Sequence, residues 1–95
     1  IGPSANVKGS LVVEGCVILG EVKNSVLFPG VYVGKNTKIV DSVIMANTKI
    51  GDNITIQKAI IGSEVTIRRN SKIGNSKKIT LIGEGQDLKK DTVIE

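Results

Sequence analysis

The chain has 95 residues, 13 Lys and Arg against 9 Asp and Glu for a net charge of +4, one cysteine, and neither histidine nor tryptophan. That length fills one core at most, and with aromatic residues at 2% the core is expected to be stacked aliphatic side chains. No histidine means no ordinary general base near neutral pH and no imidazole shell for zinc, and no run approaches the roughly 20 apolar residues of a membrane span.

Residues 1–6 lead into the first coil. With neither an initiator Met nor a signal-peptide pattern, the chain is expected to be a piece of a longer polypeptide. V-K-G-S-L from Val7 and V-V-E-G-C-V from Val12 come first. I-L-G-E from Ile18 then falls two residues short of the blocks that hold its place later, so that corner is expected to be tight. V-K-N-S-V from Val22 and L-F-P-G-V-Y from Leu27 restore the rhythm. Cys16 takes the fifth place of its block, where Val31, Thr48 and Val65 stand later, and reads as a small buried core residue. A single cysteine suggests a reducing cytoplasm.

From Val33 to Ile73 every block opens on Val or Ile: V-G-K-N-T-K, I-V-D-S-V, I-M-A-N-T-K, I-G-D-N-I-T, I-Q-K-A-I, I-G-S-E-V-T, I-R-R-N-S-K. Two hexads follow each five-residue block before the order restarts, so Ile39 and Ile56, Ile44 and Ile61, and Ile50 and Ile67 all stand at the same separation. A period this short, without helical spacing, describes three short strands and three turns per coil. Asn36, Asn47, Asn53 and Asn70 hold the fourth place of their hexads, as Gly15 and Gly30 do earlier. Asn and Gly accept positive φ at low cost, as a turn with a left-handed residue at each corner requires. The pattern predicts an all-β chain: a left-handed parallel β-helix, or hexapeptide-repeat solenoid of 17-residue coils, whose hand runs against the usual crossover rule. Ser10, Ser25, Ser42 and Ala59 share one column of the short blocks, where a small side chain lets that side cut the corner.

After Ile73 the spacing lengthens, and Ile82, Leu88 and Ile94 follow Ile61, Ile67 and Ile73 four places later than the preceding rhythm would put them. The chain therefore divides into regular coils at 7–73, an insertion at 74–81 that carries Lys77 and Lys78, and a last coil at 82–95.

No catalytic or metal-binding constellation stands out. Acidic residues are scattered over the turns, and the histidines used by acyltransferases and carbonic anhydrases of this shape are missing. Two outward features remain. Val13, Phe28 and Met45 at second places of hexads, with Val17 and Tyr32 at sixth places, are expected to form an apolar ribbon that serves as an interface. The second feature is basic: Lys8 with Lys23, Lys38 with Lys72, and Lys58, Arg68, Arg69, Lys77 and Lys78. One reading is a solvated face; the other is a site for a small phosphorylated anion, since Arg grips phosphate bidentately. Nucleic acid is disfavoured because no aromatic platform accompanies the charge.

N-S-V-L-F-P-G-V-Y-V-G, D-S-V-I-M-A-N-T-K-I-G-D-N and K-A-I-I-G resemble the carboxyl-terminal domain of bacterial glucose-1-phosphate adenylyltransferase (ADP-glucose pyrophosphorylase). The similarity runs from V-K-G-S-L-V-V-E-G-C to I-T-L-I-G-E-G. The resemblance implies a parent nucleotidyltransferase that joins glucose 1-phosphate and ATP into ADP-glucose and pyrophosphate with Mg²⁺, for glycogen synthesis. Its Rossmann-like catalytic domain would lie upstream, and this part would hold no cofactor. It also implies that the β-helix packs on that domain, helps build a homo- or hetero-tetramer in the cytoplasm, and lines part of an allosteric pocket for sugar phosphates, nucleotides or phosphate. Lys58 stands where family members often carry a basic residue linked to effector response. Lys77 and Lys78 lie one or two places from a lysine that lines the anion site in related sequences. The parent subunit is either catalytic or a non-catalytic paralogue. Other readings are the same coil on a mannose-1-phosphate guanylyltransferase or a translation-factor exchange subunit, and a purely structural oligomerisation scaffold.

Overall fold

The computed structural model describes residues 6–9, 11–12 and 15–95, so most of the lead-in segment, Ser10 and Val13 lie outside the described residues. Short strands stack in parallel on three sides. The first side carries Asn6–Lys8, Glu21–Lys23, Lys38–Val40, Thr55–Gln57, Lys72–Gly74 and Val93–Ile94. The second carries Leu11–Val12, Val26–Leu27, Val43–Ile44, Ala59–Ile61 and Thr80–Ile82. The third carries Val17–Ile18, Tyr32–Val33, Lys49–Ile50, Thr66–Ile67 and Asp87–Leu88. The chain is a left-handed parallel β-helix of about 5 turns, and among the described residues no helix is long and apolar enough to cross a membrane.

Strands of two residues can commit only one side chain inward, because alternate residues point to opposite faces; Ala59–Ile61, with three, buries both its ends. The committed residue is the one that opens each block. Val22, Ile39, Ile56 and Ile73 fill the first side, Leu27, Ile44, Ile61 and Ile82 the second, and Ile18, Val33, Ile50 and Ile67 the third, all buried. β-branched side chains suit this extended backbone and stack on their neighbours one rung away. The register pairs Ile39 with Ile56 and Ile56 with Ile73, Ile44 with Ile61, and Ile50 with Ile67, so one period of the sequence is one turn of the coil. The last coil is closed less completely, with Leu88 and Ile94 only half-buried against the core.

The corners use the expected residues. Asn36, Asn47, Asn53 and Asn70 have φ between 58° and 62°, and Gly15 and Gly30 are also positive. The corner from the first side to the second adds a set that the hexads do not announce: Gly9, Asn24, Asp41 and Lys58 are all left-handed. Beside them the small column is buried and bonded. Ser25 Oγ donates to the Lys23 carbonyl (2.8 Å) and accepts from Ser42 N–H (3.0 Å). Ser42 Oγ repeats this with the Val40 carbonyl (2.8 Å) and Ala59 N–H (3.1 Å). Each hydroxyl thus satisfies a carbonyl of its own coil and an amide of the next, which keeps a tight buried corner free of orphaned polar groups.

The shortened block at 18–21 passes from the third side to the first in two residues. A Cβ at Gly20 would collide with the Thr37 carbonyl, so only glycine fits there. Cys16 departs from its expected place in the core. It is half-buried, packed against the core with Sγ donating to the Phe28 carbonyl at 3.1 Å. It stands on the first described rung of its column, whereas Val31 one rung on is buried.

Candidate functional site

The basic residues of interest occupy two different corners. Lys58 alone turns the first corner in its coil, between Thr55–Gln57 and Ala59–Ile61. One rung later, Gly74 pairs with Gln57 and Thr80 with Ala59, so residues 75–79 bulge outward where the previous coil has the single residue Lys58. Gly74 opens that bulge at φ 85°, where a Cβ would meet the Gln57 carbonyl. Asn75 Oδ1 then accepts from the N–H groups of Lys77 (2.8 Å) and Lys78 (3.0 Å), an Asx turn that folds the tip. Between bulge and stack lies a cleft of about 400 Å³, lined by Asp41, Gln57, Lys58, Ile60, Ser76 and Ile79 among others. Lys58 is half-buried there, and the exposed Lys77 and Lys78 ride on the bulge.

Arg68 and Arg69 do not join that group. They follow Thr66–Ile67 and sit at the corner from the third side to the first. Arg68 grips Asp87 on the next rung through two parallel hydrogen bonds, Nε at 3.0 Å and a terminal nitrogen at 2.9 Å. These bonds hold the Asp87 carboxyl below its ordinary value, with the charges of Arg68 and Lys89 acting the same way. Among the described residues no group of three His, Cys, Asp or Glu side chains is placed to hold a metal ion.

Phe28, Tyr32 and Val17 are exposed and Met45 is half-buried; Val13, the remaining residue of the expected ribbon, is outside the described residues. Val17 and Tyr32 are neighbouring rungs of the third side, and Lys49 ends that column one rung on. A longer apolar surface stands on the second side. Val26, Val43, Ile60 and Leu81 are consecutive outward rungs, with Ile79 of the bulge alongside. Leu81 is 70% and Ile79 60% exposed. The sequence signal for this face is the last residue of each short block, aliphatic every time (Leu11, Val26, Val43, Ile60).

The family model described as "GlmU-like, C-terminal hexapeptide" matches residues 2–80. The chain belongs to this family. Within this hexapeptide family it is similar to the glucose-1-phosphate adenylyltransferases of Clostridium kluyveri (63% identical over 99% of the chain), Clostridium novyi (58% over 99%) and Clostridium beijerinckii (50% over 100%). The chain spans about a quarter of the length of these curated relatives, 24% of the first and 25% of the other two.

Proposed function

We propose that the chain is the C-terminal regulatory and assembly domain of a glucose-1-phosphate adenylyltransferase. The parent polypeptide would join ATP and glucose 1-phosphate into ADP-glucose and pyrophosphate, with Mg²⁺, to supply glycogen synthesis in the cytoplasm. The observation that carries this reading is identity of 50% to 63% across essentially the whole chain to relatives bearing that name. No step of the chemistry is assigned to the residues of this chain.

The assembly role rests on the outer column Val26, Val43, Ile60 and Leu81. A contiguous aliphatic sheet face costs solvation unless something covers it, and most of the relatives' length lies outside the match. The occupant we assign to it is that remaining part of the parent polypeptide, with the Phe28, Tyr32 and Met45 edge beside it available to neighbouring subunits of a tetramer. The regulatory role rests on the first corner. Lys58 holds a left-handed backbone that Gly9 and Asn24 hold more easily elsewhere, so its side chain is retained at a cost to the fold. A sugar phosphate or phosphate in the adjoining cleft would meet Lys58, with Lys77 and Lys78 arching over it.

The test uses the full-length polypeptide. It is expected to make ADP-glucose from ATP and glucose 1-phosphate, and its absence would end the reading. Phe28→Lys with Met45→Lys should break the oligomer in sedimentation, and Val43→Lys with Ile60→Lys should loosen the coil from the rest of its own polypeptide, read as faster proteolysis between the two. Lys58→Asn should leave the fold at least as stable while the activity stops responding to sugar phosphates; an unchanged response would remove Lys58 from the site.

A further inference from the structure

A protease can cut a folded chain only where the backbone can leave its hydrogen bonds and lie extended in a foreign cleft, so it finds the least-held stretches. The basic residues of the regular coils are poor targets by that measure. Lys38, Lys49, Lys58, Arg68 and Lys72 each donate their N–H to a neighbouring rung, and the carbonyls of Lys23, Lys35 and Arg69 each accept from one. Near the chain's end the Lys89 carbonyl accepts from the Ser71 hydroxyl, and the amide after Lys90, that of Asp91, donates to Arg69. Cutting at any of these places means opening a rung.

The bulge at 75–79 is different. Among the described residues none of its backbone groups bonds to a neighbouring rung. The tip is folded by one side chain, Asn75, whose Oδ1 accepts from the N–H groups of Lys77 and Lys78. Ser76, Lys77, Lys78 and Ile79 are consecutive exposed residues, and neither lysine has an ion pair among the described residues. A small, polar loop tip without proline is the usual place for nicking. Downstream, Thr80–Ile82 pairs with Ala59–Ile61 alone, so a residue or two can peel away without opening a second ladder.

We propose that Lys77 and Lys78 form a processing site for an endopeptidase whose acidic pocket takes a lysine side chain. Water adds across the peptide bond after one of them: its oxygen goes to the carbonyl carbon, leaving a carboxylate, and both of its hydrogens end on the released nitrogen as an ammonium group. The cut falls between rungs, so the two pieces stay together. The C-terminal piece keeps its strands paired with Ala59–Ile61, Thr66–Ile67 and Lys72–Gly74, and Ile82 remains in the core. What changes is the cleft beside Lys58, because its wall residue Ile79 is no longer tied to Gly74 through the bulge.

The 95-residue chain and the full-length polypeptide are each treated briefly with trypsin, and the early fragments are identified by mass spectrometry. Within residues 15–95 the first cut should follow Lys77 or Lys78 in both, and the two pieces of the 95-residue chain should elute together in native buffer and apart in denaturant. Lys77→Gln with Lys78→Gln should abolish that cut. Asn75→Ala should speed it by about tenfold, because opening the tip no longer breaks two hydrogen bonds. A first cut elsewhere in residues 15–95, release of the C-terminal piece in native buffer, a bulge that resists cutting in the full-length polypeptide, or an Asn75→Ala rate no faster than the parent's would overturn the assignment.

Discussion

The first and second sides of the coil share one interior and have opposite exteriors. Inward, Val22, Ile39, Ile56 and Ile73 on one match Leu27, Ile44, Ile61 and Ile82 on the other. Outward, the first side presents Glu21, Lys38, Thr55 and Lys72 on successive rungs, and the second presents Val26, Val43, Ile60 and Leu81. The polar exterior shows that coil closure asks nothing of outward residues beyond tolerance of an extended backbone. The aliphatic exterior is therefore not a requirement of the fold, and its persistence over four rungs points to contact with another surface.

The largest effect expected is on the shared interior. Ile56→Ala and Ile61→Ala should each cost about 2 to 5 kcal/mol in chemical denaturation, through lost burial and the cavity left behind. A cost confined to one of them would show that the two interiors are not equivalent. Next comes the corner that joins the sides. Ser42→Ala removes the acceptor for the buried Ala59 N–H and should cost about 1 to 3 kcal/mol, whereas a loss no larger than that of a surface substitution would mean that water replaces the hydroxyl.

Smaller still are the exteriors. Thr55→Lys and Ile60→Lys should each change the stability of this chain by less than about 0.5 kcal/mol, yet only Ile60→Lys should loosen the coil from the rest of the full-length polypeptide, read as faster proteolysis between them. Equal behaviour of the two in proteolysis would erase the contrast. The smallest effect belongs to Arg68 and Asp87, more than half exposed at 56% and 57%. The hydrogen bonds from Arg68 lower the Asp87 pKa. The pair's contribution is therefore present above the ordinary carboxylate range and lost as pH falls through the lowered value. Carboxyl shifts should show Asp87 titrating at lower pH in the parent chain than in Arg68→Gln, with the gap closing in high salt.

Much of the fold was legible because its signals are local and recur. An apolar residue opens each block, and the regular spacing that separates Ile39 from Ile56 is the rung pairing itself. Asn at the fourth place of a hexad marks a corner, since few side chains accept positive φ. Lys58 and Glu64 were not legible as corner residues, because neither type advertises a left-handed backbone. The second side's exterior was hidden because two-residue strands show too little alternation to separate inner from outer. Lys58 and Arg68 are close in sequence, but the chain between them rounds the corner after Ala59–Ile61 and brings Arg68 to a different edge of the coil.

Residues 75–79 take the place held one rung earlier by Lys58, and the strands on either side nonetheless remain in register with Thr55–Gln57 and Ala59–Ile61. Contour length at a corner is thus uncoupled from the stacking of the sides: the steps from Val7 to Val22, from Ile39 to Ile56 and from Ile73 to Ile94 differ in length, yet all lie in a single column. Corners behave as ports where chain can be spliced without renumbering the rungs, while a single residue added inside a strand would turn an inward Ile outward. Grafting of binding loops onto this solenoid, by descent or by design, is accordingly confined to the three edges of its triangular section.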